Sequence, residues 1–204
     1  LSPNDSFRKH YRQKLNISEG NLVFLLVGRV SWFKGFQVAL EAFEKIITQV
    51  PNALLLIAGK GKNEIDLRSR VDRSKLIKDK VKFLGWYNYS ELPYLYNCAD
   101  VFLLPSLRSE GHAYTLIEAM ACGLSVIATR RGGNIETVGD AGILVPPGDT
   151  NSLAKAMLEL AKDTEKRRIL SEKARKQAVH LFSEEVAREK ISQLLKNFYR
   201  NHEL

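Results

Sequence analysis

Arg29 and Lys34 lie within the loop Gly28-Arg29-Val30-Ser31-Trp32-Phe33-Lys34-Gly35, just after the apolar run Leu22 to Val27. A guanidinium can grip phosphate in a bidentate fork, and an ammonium adds a point charge. The loop therefore suits a diphosphate. It lacks the Lys-Ser/Thr ending of a P-loop, so taken alone it is equally compatible with a solvated loop carrying two surface cations. A second candidate segment runs from Pro105 to Ala121. Its apolar pattern from Tyr114 onward predicts a helix whose first turn presents unpaired N–H groups, and the dipole there favours an anion by roughly 0.3–2 kcal/mol. Glu118 falls about one turn into that helix and Glu110 precedes it. Two carboxylates cannot both contact phosphate profitably, but they can accept hydrogen bonds from hydroxyls. A diphosphate with hydroxyls on both sides is a nucleotide sugar. Singly, each acid has a plainer reading: Glu118 as a first-turn carboxylate supporting the helix dipole, Glu110 as a surface loop residue.

Those residues need a frame to hold them. Short, nearly continuous apolar runs at Leu22 to Val27, Leu54 to Ala58, Val81 to Leu84, Val101 to Leu104, Leu124 to Ala128 and Ile143 to Val145 alternate with helical patterns such as Gln37 to Thr48. Runs of this kind are strands buried on both faces of a parallel sheet. The alternation predicts an α/β fold, a Rossmann-like doubly wound parallel sheet flanked by helices. Ligands of such sheets sit beyond the carboxyl ends of the strands, where both candidate loops lie. Pro146-Pro147-Gly148-Asp149 is a turn, after which Asp149 or Thr150 can cap a helix. Ser183-Glu184-Glu185 marks a fresh helix start. The expected organisation is an N-terminal helical or linker segment over 1–20, a nucleotide-sugar-binding domain over 21–182 and a C-terminal helix over 183–204. Lys60, between Gly59 and Gly61, reads as a turn after the second strand. Trp32 and Phe33 fit either a cleft-facing role or ordinary loop packing.

The 204 residues are enough for one sizeable core, with 45% hydrophobic and 26% charged residues. The net charge of +8 favours an anionic partner such as a nucleotide or a membrane surface. Eleven basic and six acidic residues between Lys162 and Arg200 read as solvated helix faces, and no basic–aromatic interleaving points to nucleic acid. Cys98 and Cys122 are too far apart and too few for a metal site or disulfide framework, and fit small core residues of a reducing compartment. No apolar run approaches the ~20 residues of a membrane span. The first residue is Leu, which leads to the expectation that the chain was cut from something longer.

Taken together, GRVSWFKG (28–35), ADVFLLPS (99–106), EGHAYTLIEAMACG (110–123), ATRRGG (128–133) and VPPGD (145–149) resemble the C-terminal, donor-binding domain of the retaining glycosyltransferases of family 4, which have the GT-B fold. Glu110 and Glu118, with seven residues between them and followed by AMACG, are the most specific part. The resemblance implies that Arg29 and Lys34 hold the donor diphosphate and stabilise the departing nucleoside diphosphate. It implies that Gly28 belongs to that loop, and that backbone amides of Tyr114 and Thr115 complete the cradle. Glu110 and the backbone of Gly111, His112 and Ala113 would orient the sugar, Glu118 would accept from the ribose, and the turn from Phe83 to Gly85 would contact the base. The Gly132-Gly133 loop would pack beside the donor. The family commonly has an aromatic or aliphatic residue and then glycine where His112 and Ala113 stand, which bears on sugar identity.

The implied reaction moves a sugar from a nucleoside diphosphate sugar, UDP- or GDP-linked, to an acceptor hydroxyl with retention of configuration. No cofactor is expected beyond that donor. No metal is expected either, since fixed cations oppose the diphosphate and no carboxylate cluster stands beside them. The expected partners are the nucleotide sugar, a Rossmann-like acceptor domain preceding Leu1 and a membrane surface contacted peripherally. The expected location is the cytoplasm or the inner face of its membrane. Without the acceptor domain, donor binding without turnover is expected. The alternatives are a nucleotide-sugar epimerase-like domain, a noncatalytic nucleotide-binding subunit and a plain nucleotide-binding regulatory domain.

Overall fold

The computed structural model describes residues 1–202, with side chains described through residue 198. Its centre is a six-stranded, all-parallel sheet of order β3-β2-β1-β4-β5-β6. The strands are β1 (Leu22–Val27), β2 (Ala53–Ala58), β3 (Val81–Gly85), β4 (Val101–Leu104), β5 (Ser125–Thr129) and β6 (Ile143–Val145). The helices are α1 (Asp5–Lys14), α2 (Phe36–Ile46), α3 (Glu64–Arg73), α4 (Leu92–Cys98), α5 (Tyr114–Ala121), α6 (Asn134–Val138), α7 (Thr150–Lys162), α8 (Thr164–Phe182) and α9 (Glu184–His202).

Successive side chains of a strand point to opposite faces, and here both faces are covered. Phe24 and Leu26 of β1, Leu55 and Ile57 of β2, and Val101 and Leu103 of β4 join one cluster with α2, α3 and α7. Val23 and Leu25, Leu54 and Leu56, and Phe102 and Leu104 join a second cluster with α1, α4, α5 and α8. That is why the strands read as continuous apolar runs. Each such side chain is worth about 1.5–3 kcal/mol on burial, so the sheet is the rigid part of the molecule.

The chain order reverses direction between β1 and β4. The helices that follow these two neighbouring strands, α2 and α5, pack on opposite faces of the sheet, and the carboxyl edge at such a reversal is the place where ligands of doubly wound sheets bind. α1 packs on α4. Phe7 and Tyr11 pack on Tyr94 of α4, with ring centroids 4.1 and 5.9 Å apart. The Asp149 side chain accepts from the Asn151 and Ser152 amides at 3.0 Å and so caps α7. Ser183 Oγ accepts from the Val186 amide at 3.3 Å at the start of α9. No described helix is long and apolar enough to cross a membrane.

Candidate functional site

The loop after β1 and the loop after β4 are docked backbone to backbone. Gly35 has φ +70°, and a Cβ there would come 1.9 Å from the Pro105 carbonyl oxygen. Beside that contact the Leu107 amide donates to the Phe33 carbonyl at 2.7 Å. On the outer side, the Trp32 amide donates to Asn63 Oδ1 at 2.8 Å. Only glycine satisfies both the left-handed backbone and the close approach. Gly35→Ala is expected to cost about 1–3 kcal/mol in a thermal melt, as strained left-handed backbone does, and to loosen the site at the same time. A variant as stable as the parent would show that the docking is not tight.

The docking brings Lys34 to Glu110: Nζ donates to Oε1 at 2.7 Å. Ser106 Oγ donates to the same oxygen, also at 2.7 Å. Burial pushes the Glu110 carboxyl up, but the Lys34 and Ser106 hydrogen bonds and the Lys34 charge outweigh it, and the group ends below the usual glutamate value. Around this pair lies a cavity of about 510 Å³ lined by Arg29, Trp32, Phe33, Lys34, Arg108 and Glu110 among others, with Lys62 also at its wall. Arg108 stacks on the Phe33 ring at 3.6 Å. Arg29 is exposed and its side chain makes no hydrogen bond or ion pair among the described residues.

Arg29 also lines a second cavity of about 340 Å³ with Gly28, Gly59, Lys60, Trp86 and Tyr87. Of the predicted base-contacting turn, Gly85 holds this edge through its carbonyl, which accepts from the Gly59 amide at 2.6 Å. The Phe83 ring packs against the core beneath the Arg68 guanidinium at 4.3 Å and does not line the cavity. Trp86 and Tyr87 do. Sequence reasoning passed over them, although an aromatic pair directly after a strand's carboxyl end was a signal available to it.

Tyr114 and Thr115 open α5, with Ala113 as its N-cap residue. The Ala113 carbonyl accepts from Leu116 and Ile117, so the two preceding amides are the free ones. Ala113 itself is buried at φ −73°, a backbone that needs no glycine, which accounts for alanine being accommodated. Gly111 is exposed with open space around its Cα. The His112 ring packs edge-on to Phe182 at 5.7 Å, with Nδ1 3.4 Å from Thr137 Oγ1. The Gly132-Gly133 loop packs on the Glu110 backbone. The Gly133 amide donates to the Glu110 carbonyl at 2.9 Å, and a Cβ on Gly133 would come 1.7 Å from the Gly111 carbonyl oxygen.

Glu118 is not brought to the cavities that Arg29 lines. Tyr96 Oη donates to its Oε2 at 2.7 Å, and the residue borders a separate cavity of about 490 Å³ between α5 and the α8–α9 junction. Burial raises its carboxyl above the usual value, partly offset by the Tyr96 hydrogen bond. Among the described residues no group of three or more His, Cys, Asp or Glu could hold a metal ion.

Residues 7–177 match the family model described as glycosyl transferases group 1. The chain is 34% identical over 176 residues to N-acetyl-alpha-D-glucosaminyl L-malate synthase of Bacillus anthracis, covering 85% of this chain and 45% of that one. It is 31% identical over 193 residues to the GDP-mannose-dependent monoacylated alpha-(1-6)-phosphatidylinositol monomannoside mannosyltransferase of Corynebacterium glutamicum, covering 91% and 50%. Among solved structures, HepE of Anabaena in complex with UDP superposes with a TM-score of 0.87 at 26% identity over 96% of this chain and 54% of that one. The same protein has been solved with UDP-glucose. The chain spans about half the length of the curated relatives it matches. With the sheet order, the docked loops and the family match all coinciding on the same residues, the chain belongs to the glycosyl transferases group 1 family.

Proposed function

We propose that this chain is the donor-binding half of a retaining glycosyltransferase that moves a sugar from a nucleoside diphosphate sugar to an acceptor hydroxyl. One observation carries the reading: Arg29, free of intramolecular partners among the described residues, stands between a cation-rich cavity holding Lys34 and Glu110 and a second cavity walled by Trp86 and Tyr87. The diphosphate sits at Arg29 and Lys34, against the free amides of Tyr114 and Thr115. The base enters the aromatic cavity beyond Gly85, and the sugar faces Glu110 and the Gly111–Ala113 backbone. As the bond from the anomeric carbon to the diphosphate breaks, negative charge grows on the leaving group and the fixed cations and amides stabilise it. The functional unit is residues 21–182, preceded by an N-terminal segment over 1–20 and followed by a C-terminal segment over 183–204, of which 203–204 lie outside the described residues. The acceptor is held by a further Rossmann-like domain, and the basic surface favours work beside a membrane. The complexes of HepE with UDP and the GDP-mannose dependence named for the Corynebacterium relative support a nucleotide-sugar donor.

Calorimetric titration with UDP, GDP and ADP, then with sugar derivatives of the best binder, tests this. One base should be preferred, and the Arg29→Ala/Lys34→Ala double variant should lose it. Equal binding by the double variant, or no binding of any nucleotide to the parent, would refute the reading.

Although Glu118 lines neither cavity that Arg29 lines, it is proposed to accept from the ribose through Oε1, which accepts no hydrogen bond among the described residues. Folding raises its pKa, chiefly through burial, so the folded chain holds this proton to higher pH than the unfolded chain does. Its contribution to stability is fully present below the usual glutamate value and is lost as pH rises through the raised one. Ligand binding runs the other way, since the ionised group is the better acceptor. Nucleotide affinity should therefore fall on acidification, starting above the pH at which an ordinary glutamate protonates, and Glu118→Gln should flatten that step. A step that persists in Glu118→Gln would assign it to another group.

A further inference from the structure

The two donors on Glu110 converge on one oxygen. Lys34 Nζ and Ser106 Oγ each lie 2.7 Å from Oε1, while Oε2 accepts no hydrogen bond among the described residues. The carboxylate is thus anchored by one oxygen and open at the other, and its side chain, 19% exposed, borders the cation-rich cavity. An anchored carboxylate has one acceptor direction left, which is what recognition of a single hydroxyl needs.

The anchor has its own support. Ser106 is fully buried, and its carbonyl accepts from Thr129 Oγ1 at 2.9 Å. Thr129 is in turn held by Asn134, whose Nδ2 donates to the Thr129 carbonyl at 3.1 Å and reaches its Oγ1 at 3.4 Å. Asn134 directly follows Gly133, whose amide donates to the Glu110 carbonyl. The polar path therefore closes on itself: Glu110 side chain, Ser106, Thr129, Asn134, Gly133 and back to the Glu110 backbone. Thr129 and Asn134 are 1% and 0% exposed. Buried polar groups at the carboxyl ends of β4 and β5 cost stability unless bonded; the ring satisfies Thr129 Oγ1 and Asn134 Nδ2, leaves Asn134 Oδ1 without a partner, and fixes geometry where apolar residues would have packed more cheaply.

We propose that Ser106 is a positioning residue for donor-sugar recognition. It holds Glu110 Oε1 against Lys34 so that Oε2 is presented to one hydroxyl of the transferred sugar, with Thr129 and Asn134 as its buried support. This rests on the nucleotide-sugar reading above and adds a residue and a division of labour between the two carboxylate oxygens. It follows that removing the Ser106 hydroxyl impairs recognition of the sugar while leaving recognition of the nucleoside diphosphate intact, because Arg29 and the aromatic cavity do not depend on it.

The test compares the parent, Ser106→Ala, Glu110→Gln and the double variant by two readouts. The first is the NMR pH titration of the Glu110 side-chain carboxyl carbon in the free chain. The second is calorimetric affinity for UDP against UDP-glucose and for GDP against GDP-mannose. Ser106→Ala should raise the Glu110 midpoint, since a bond favouring the ionised form is gone. It should weaken the preferred sugar nucleotide about tenfold, the scale of a lost hydrogen bond to a charged group, and change the bare diphosphate less than twofold. In the Glu110→Gln background it should add nothing.

An unmoved Glu110 midpoint would overturn the proposal, whatever the affinities do. So would equal losses for nucleotide and sugar nucleotide, or a full Ser106→Ala effect persisting in Glu110→Gln, either of which marks a merely structural serine. A parent chain that binds none of the four ligands would instead overturn the nucleotide-sugar reading, and this proposal with it. Ser106→Thr, which keeps the hydroxyl, should restore the midpoint and the sugar affinity.

Discussion

In the complete enzyme, with its acceptor domain, Arg29→Ala is expected to lower kcat/KM for sugar transfer by about a hundredfold to a thousandfold while leaving the melting temperature nearly unchanged. The first half follows from its position. Arg29 lines both the cation-rich and the aromatic cavity, so in the proposed reading it meets the diphosphate at the point where charge develops. Losing one preorganised donor at such a point typically costs about 2.7–4 kcal/mol of transition-state stabilisation. The second half follows from what it does not do. The side chain is exposed and unpaired among the described residues, and substitutions at such positions usually change stability by less than about 0.5 kcal/mol. Lys34→Ala is the less clean experiment, because it strips Glu110 of its ion partner inside a half-buried site. Arg29→Lys should recover only part of the loss, since an ammonium cannot form the bidentate fork. Steady-state kinetics at saturating acceptor, alongside a thermal melt, decide the matter. An unaltered kcat/KM would remove Arg29 from the mechanism, and a large fall in melting temperature would turn the kinetic result into a folding effect.

The separation of function from stability at Arg29 mirrors what could be read from the sequence. The sheet was legible because its strands are buried on both faces. Runs such as Leu22 to Val27 and Val101 to Leu104 carry no polar face to blur them, and the observed β1 and β4 have those bounds. The loops after them were legible as places for chemistry because the carboxyl edge is fixed by topology. The pairing inside the site was not. Lys34 meets Glu110 only because Gly35 lets the backbone approach Pro105, and nothing in the spacing of residues 34 and 110 encodes that approach.

Ser106 was visible only as one residue of the candidate segment Pro105 to Ala121, with no role of its own. Its importance appears once Thr129 and Asn134, distant in sequence, are seen beneath it. At the expected base-contacting turn the Phe83 ring packs against the core, and the wall of the adjoining cavity is supplied by the next aromatic pair. Short helices were the other blind spot. Leu92–Cys98 and Asn134–Val138 are each too brief to establish a helical period.

Residues 1–20 read in sequence only as an N-terminal helical or linker segment, with nothing to single out Arg12, which is 1% exposed. Its guanidinium donates from Nε to the Cys98 carbonyl at 3.0 Å and from Nη1 to the Ser18 and Asn21 carbonyls, each at 3.1 Å. Its Nη2 pairs with Asp100 Oδ2 at 2.8 Å, and that carboxylate also accepts from the Val23 amide at 2.7 Å. One side chain thus ties α1 to the amino ends of β1 and β4. Arg12→Ala is expected to destabilise the fold by about 3–5 kcal/mol, the usual cost of breaking a buried ion pair by removing one partner. For a domain of this size that corresponds to a fall of roughly 6–20 °C in melting temperature. Arg8 contacts the other oxygen of Asp100 at 2.8 Å but is 28% exposed, so Arg8→Ala should cost no more than about 1 kcal/mol. Both residues lie at the opposite edge of the sheet from the docked loops, so nucleotide affinity measured well below the melting temperature should match the parent in both variants. Equal, small losses at the two positions would mean that α1 is held by its aromatic contacts with α4 and that the buried guanidinium is dispensable.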